Sequence, residues 1–187
     1  MPEILSTYNI VDVLTAIDVE KILSDLPASQ LSKNPQYPTT LKSNGHDEIY
    51  MITTDKNVIS GQAGDALNVS VDVNDIIRWR TTSLTVVADY RCIIYQVKLK
   101  KNIEGAHPDY PLLSDPHFAH TYPSEPDPKP GWPNNGVEKR TSSDYFWHST
   151  AQSEGTAIYT FVVAIYKHNS VEPLGYFSWD PKITIRN

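Results

Sequence analysis

Alternation with a period of two dominates the hydrophobic pattern of this chain. Across residues 67–73, Leu67, Val69, Val71 and Val73 fall on one side, and Asn68, Ser70 and Asp72 on the other. That is the signature of a strand with one face in a core and one in water. In residues 90–99, the same reading puts Ile93, Tyr95, Val97 and Leu99 on one face, opposite Gln96 and Lys98. Residues 156–168 are apolar on both faces at their centre, as a strand inside a two-layer core should be, and residues 8–18 read similarly. Shorter strands are predicted at 48–53, 144–150, 174–179 and 182–187. One segment has helical spacing instead. Asp18 is placed to cap it, Val19, Ile22, Leu23 and Leu26 share a face, and Pro27 ends it.

Many short strands and one small helix predict an all-β fold, an antiparallel β-sandwich of immunoglobulin-like or jelly-roll-like type. No repeat or low-complexity linker divides the chain, so residues 1–187 read as a single domain. Residues 105–135 stand apart. They hold eight of the fourteen prolines, which rules out a central strand and predicts a long, shaped Pro-rich loop packed on the sandwich.

The run Arg78-Trp79-Arg80 poses a choice between a binding site and sheet architecture. Alternation sends Ile77 and Trp79 to one face and Ile76, Arg78 and Arg80 to the other. Trp79 is therefore expected in the core, with the arginines paired across strands to acids such as Asp72 and Asp89. A phosphate cradle would need glycines and a helix N-terminus close by, and neither follows.

Composition narrows the function. A net charge of −6 opposes a nucleic-acid surface, which needs a basic stripe to displace counterions. One cysteine, Cys92, permits no intramolecular disulfide and, within Tyr90–Val97, reads as a small buried hydrophobe. No stretch is long and apolar enough for a membrane span, and the N-terminus lacks the basic region of a secretory signal. The expected compartment is the cytoplasm, with export by a signal-free route still compatible.

The segments NDIIRWRTTSL (74–84), ADYRCIIYQV (88–97), VLTAIDVEKIL (13–23) and LNVSVDV (67–73) together resemble the AidA/PixA family of bacterial proteins. PixA-type members are inclusion-body proteins, and AidA-type members are quorum-regulated accessory proteins. The resemblance implies a compact β-rich fold and a non-enzymatic accessory role, acting by binding or self-assembly, in host interaction or within inclusions. It carries no catalytic residues across. Where the family has a Gly-Asp turn before the IRWR strand, this chain has Asn74-Asp75, and asparagine tolerates a left-handed turn. Met1 and Met51 are the only methionines, against the methionine-rich PixA type, so the AidA-like branch is the better match.

Candidate chemistry is sparse. Asp115, His117 and His120 form the nearest approach to a metal motif, but without HExxH or a cysteine pair no metal or cofactor is predicted. No nucleophile elbow, calcium loop or distinctive carboxylate pair is present, and the chain is not expected to be an enzyme. The remaining candidate is a ligand-binding surface on the Pro-rich segment, made of Tyr110, His117, His120, Tyr122 and Trp132 with Asp109, Asp127 and Asn134 nearby. Aromatic rings beside hydroxyl-binding polar groups suit a carbohydrate, which makes a lectin-like module the alternative function. A metal-dependent enzyme centred on His117 and His120 ranks third.

Overall fold

The structure, a computed structural model, describes residues 8–41, 47–85, 89–100 and 111–187. The strands in chain order begin with β1 (Ile10–Ile17), β2 (Thr39–Thr40), β3 (Ile49–Ile52), β4 (Val58–Ser60) and β5 (Asn68–Asp72). There follow β6 (Ile76–Ser83), β7 (Tyr90–Leu99), β8 (His117–Thr121), β9 (Ser124–Pro128) and β10 (Val137–Thr141). The chain closes with β11 (Asp144–Thr150), β12 (Gly155–Lys167), β13 (Pro173–Trp179) and β14 (Lys182–Arg186). Helix α1 (Val19–Asp25) sits after β1, and the Asp18 carboxylate accepts the Lys21 N–H at 3.0 Å, as the capping pattern predicts.

Two sheets make the sandwich. The first has strand order β3-β1-β6-β11-β8. In the second, β12 pairs with β7, while β13 and β14 pair in succession with its C-terminal and N-terminal parts. The sheets are mixed: β1 runs parallel to β6, β5 to β14 and β2 to β13, among otherwise antiparallel pairs. A shared core joins them. Trp79 of the first sheet, fully buried, meets Tyr159 at 5.3 Å and Phe161 at 6.1 Å on the second. Burial pushes the Tyr159 phenol well up, and the adjacent Trp79 indole N–H offsets part of that shift.

Trp79 thus points inward and its flanking arginines outward, as alternation requires. Their partners differ from expectation. Arg78 forms a two-pronged pair with Asp12 at 2.6 and 2.7 Å, and Arg80 pairs with Asp144. Asp12 and Asp144 lie on the strands flanking β6, whereas Asp72 lies on β5 in the other sheet. Asn74 adopts φ +78°, so the left-handed turn before β6 is kept.

Strand β7 corrects a second expectation. Its register against β12 slips between Val162 and Val163, where Gln96 and Ile94 are the partners and Tyr95 is bulged out. The bulge exchanges the faces. Cys92 and Ile94 are buried before it and Val97 after it, while Tyr95 turns outward against Tyr176 at 5.2 Å.

Over its described part, from residue 111, the Pro-rich segment forms strands where a shaped loop is expected. Residues 117–121 form β8, and residues 124–128 form β9. Pairing of β8 with β11 runs from His117↔His148 to Thr121↔Asp144. Pairing of β9 with β10 runs from Ser124↔Thr141 to Pro128↔Val137, in the same register. Ser142 N–H donating to Pro123 O at 3.0 Å joins the two stretches. The result is one long hairpin. Its inner half completes the first sheet, and its outer half is a solvent-exposed ribbon ending in the turn 129–136.

Candidate functional site

The inner half of the hairpin gathers aromatic and polar side chains at the margin of the sandwich. Trp147, on the core side of β11, donates its indole N–H to Ile94 O of β7 at 3.0 Å. Phe118 is opposite Trp147 in register and lies on the same side, but beyond the cover of the second sheet, so it is 53% exposed. Its ring stacks on Tyr145 with centroids 5.9 Å apart and meets the Trp147 ring edge-on at 5.9 Å. Tyr145 is mostly covered, and burial pushes its phenol up to about 12, so it stays neutral at physiological pH.

Two residues onward on the same face, His120 meets Tyr122. Their rings are 4.8 Å apart, and the Tyr122 hydroxyl lies 3.4 Å from His120 Nδ1. His120 Nε2 is 2.6 Å from Ser143 Oγ. Tyr122 is 66% exposed. Phe118, His120 and Tyr122 therefore make an aromatic strip along one face of the edge, with a serine hydroxyl at its side.

The structure divides the sequence-derived candidates. His120 and Tyr122 come together in this strip. His117 lies on the opposite face of β8, with its ring 6.0 Å from that of His148. Trp132 belongs to the turn at the ribbon's far end, where its backbone N–H donates to Lys129 O at 3.0 Å and its ring is exposed. Tyr110 and Asp109 lie outside the described residues.

Because β8 is extended, the i, i+3 spacing of His117 and His120 puts the imidazoles on opposite faces. The two rings therefore do not converge on one ion from this strand. Among the described residues no group of three His, Cys, Asp or Glu side chains has metal-site geometry. The Cys92 thiol is buried and pushed up to about 12 by that burial, too high for a thiolate nucleophile at neutral pH.

Phe118, Ser143 and Tyr145 were not apparent as site residues from sequence. A signal for Phe118 exists in DPHFAHTYP, where Phe118, His120 and Tyr122 recur every second residue between flanking prolines. Ser143 and Tyr145 join them only through hairpin pairing.

Comparison with known proteins gives the class. The model of the PixA family, described as inclusion body protein, matches residues 9–185, and the chain belongs to that family. Its fold is similar to the crystal structure of an inclusion body protein of the PixA family from Burkholderia cenocepacia. The TM-score is 0.73 at 18% identity, covering 98% of this chain and 99% of that one. A looser likeness, with a TM-score of 0.27 at 13% identity, is to a cysteine protease inhibitor from Entamoeba histolytica, covering 65% of this chain and 88% of that one. No curated protein matches the chain by sequence. Among the described residues no helix is long and apolar enough to cross a membrane.

Proposed function

We propose that this protein is a non-enzymatic accessory protein that acts by self-association, with the strip Phe118, His120 and Tyr122 at the contact. The carrying observation is the exposure of Phe118 on β8 and Tyr122 just past its end, two large rings on one face, at 53% and 66%. Rings left in water beside a rigid sheet gain most from a partner that covers them, and they lose little entropy on contact. The family description, inclusion body protein, fits a chain that packs against its own copies. Sedimentation equilibrium across a wide concentration range tests this. The expected result is concentration-dependent association that Phe118→Ser with Tyr122→Ser weakens by roughly tenfold or more, in line with loss of interface anchors. Wild-type protein that stays monomeric throughout contradicts the proposal.

A carbohydrate ligand is the second reading. It is favoured by the Tyr122 ring standing beside His120 and Ser143, a flat apolar surface with hydroxyl-binding groups at its rim. A glycan array on the monomer separates the two: saturable binding lost in Tyr122→Ala supports the sugar, and a blank array removes it.

A further inference from the structure

The direction of the backbone along β8 follows from its register. Ser142 N–H donates to Pro123 O, so that pair is hydrogen-bonded. Hydrogen-bonded and non-hydrogen-bonded pairs alternate along an antiparallel ladder. Thr121↔Asp144, Ala119↔Phe146 and His117↔His148 therefore share the hydrogen-bonded class. The N–H and C=O groups of Phe118 and His120 consequently point away from β11, toward the free edge.

Among the described residues, the other long edges are closed or guarded, and β10, the second edge of the ribbon, carries Glu138, Lys139 and Arg140. Along β3, Met51 N–H donates to Gly64 O and Ala63 N–H to Met51 O, while Gln62 bonds both backbone groups of Thr53. Along β7, the carbonyls of Tyr90, Cys92 and Ile94 accept from Thr85 Oγ1, Thr81 Oγ1 and Trp147 Nε1. β2 and β4 span two and three residues, too short to template a partner. On the ribbon, Pro126 and Pro128 occupy two of the three outward-facing positions of β9 and have no N–H to offer. β8 has none of these devices. Among the described residues it pairs with β11 alone, and His117–Thr121 contains no proline, lysine, arginine or acid.

We infer that two copies of this chain join antiparallel through β8, with the two-fold axis at Ala119. This rests on the self-association reading above and specifies its contact. Phe118 of one copy then exchanges both backbone hydrogen bonds with His120 of the other, and the reverse, giving four bonds. The same pairing sets each Phe118 ring opposite a His120 ring on one face. On the other face Ala119 meets Ala119, and His117 meets Thr121. No Lys, Arg, Asp or Glu lies in the paired strands, although each chain carries −6 overall. The two five-stranded sheets become one continuous sheet. Pro116 and Pro123 flank the strand and confine the pairing to this short register.

The test uses full-length chains carrying Ala119→Lys or Ala119→Glu. Ala119 is only half-buried on the outer face, and thermal unfolding checks that each variant folds. Each alone should dissociate roughly tenfold more readily, because like charges would face each other at the axis. Mixed one to one, they should regain wild-type affinity within about threefold by pairing opposite charges. A second measurement does not depend on those charges. Residues opposite in a non-hydrogen-bonded pair have Cα atoms about 4.5 Å apart, within disulfide reach. Ala119→Cys should therefore oxidise to a covalent dimer, while Thr121→Cys, far from its own symmetry mate, should not. Association without rescue in the mixture and without the Ala119→Cys dimer overturns this contact while leaving self-association standing. A wild-type chain that never associates overturns both.

Discussion

The inner and outer halves of the β8–β11 hairpin share one register but meet different surroundings. Inside, Trp147 is tied to β7, Phe118 stacks on Tyr145, and the sheet continues through Trp147↔Trp79 into the core. Outside, β9 and β10 are exposed almost throughout, joined by their own ladder and a long Arg140–Asp127 contact at 3.4 Å. The edges differ in the opposite sense. The weakly anchored half has prolines at two outward positions of β9, whereas the well-anchored half leaves Phe118 and His120 amides facing out. A two-stranded ribbon with open edges is an aggregation hazard, which the prolines of β9 and the charges of β10 counter. A rigid edge of five residues can instead support specific pairing.

The largest effect should come from undercutting the inner half. Trp79→Ala removes the ring that faces Trp147 across the strands and fills the core between the sheets, and should cost about 3–5 kcal/mol in denaturant unfolding. A loss under about 1 kcal/mol, the scale of surface changes, would mean that the core does not depend on this contact. On the outer half, Pro126→Thr with Pro128→Thr restores two outward N–H groups. Stability should fall by about 1 kcal/mol through the freer unfolded chain, while light scattering reports new concentration-dependent association. Unchanged scattering would show that the prolines do not guard that edge. Smallest of all, Trp132→Ala at the ribbon turn should shift stability by no more than about 0.5 kcal/mol, since its ring is exposed. A cost near 3 kcal/mol would place that ring in a packed site and erase the contrast between the halves.

Much of the sandwich is legible in the residues themselves. Trp79 and the arginines beside it take the faces that alternation assigns, the helix begins at its Asp18 cap, and the centre of β12 is buried on both sides. What escapes is non-local. The acids that meet Arg78 and Arg80 follow from the parallel β1–β6 and antiparallel β6–β11 pairings, which no local pattern encodes. The bulge at Tyr95 exchanges the faces of β7 without a glycine or proline to announce it. The Pro-rich segment hides its strands because proline argues against a ladder. Yet Pro126 and Pro128 are two residues apart and both face outward, where no N–H is needed. Of the candidate site, His120 and Tyr122 are readable as a pair, but Phe118, Ser143 and Tyr145 join them only once the hairpin is closed.

Residue-resolved amide exchange of wild-type protein, at low and at high concentration, tests the open edge most directly. At low concentration Ala119 and Thr121, bonded to β11, should be protected, while Phe118 and His120 exchange freely. At high concentration Phe118 and His120 should become protected as a second copy covers them, with the amides of β9 unchanged. Phe118 and His120 amides already protected at low concentration would mean that the edge is closed within the chain. Amides that stay unprotected at every concentration would mean that no copy pairs there.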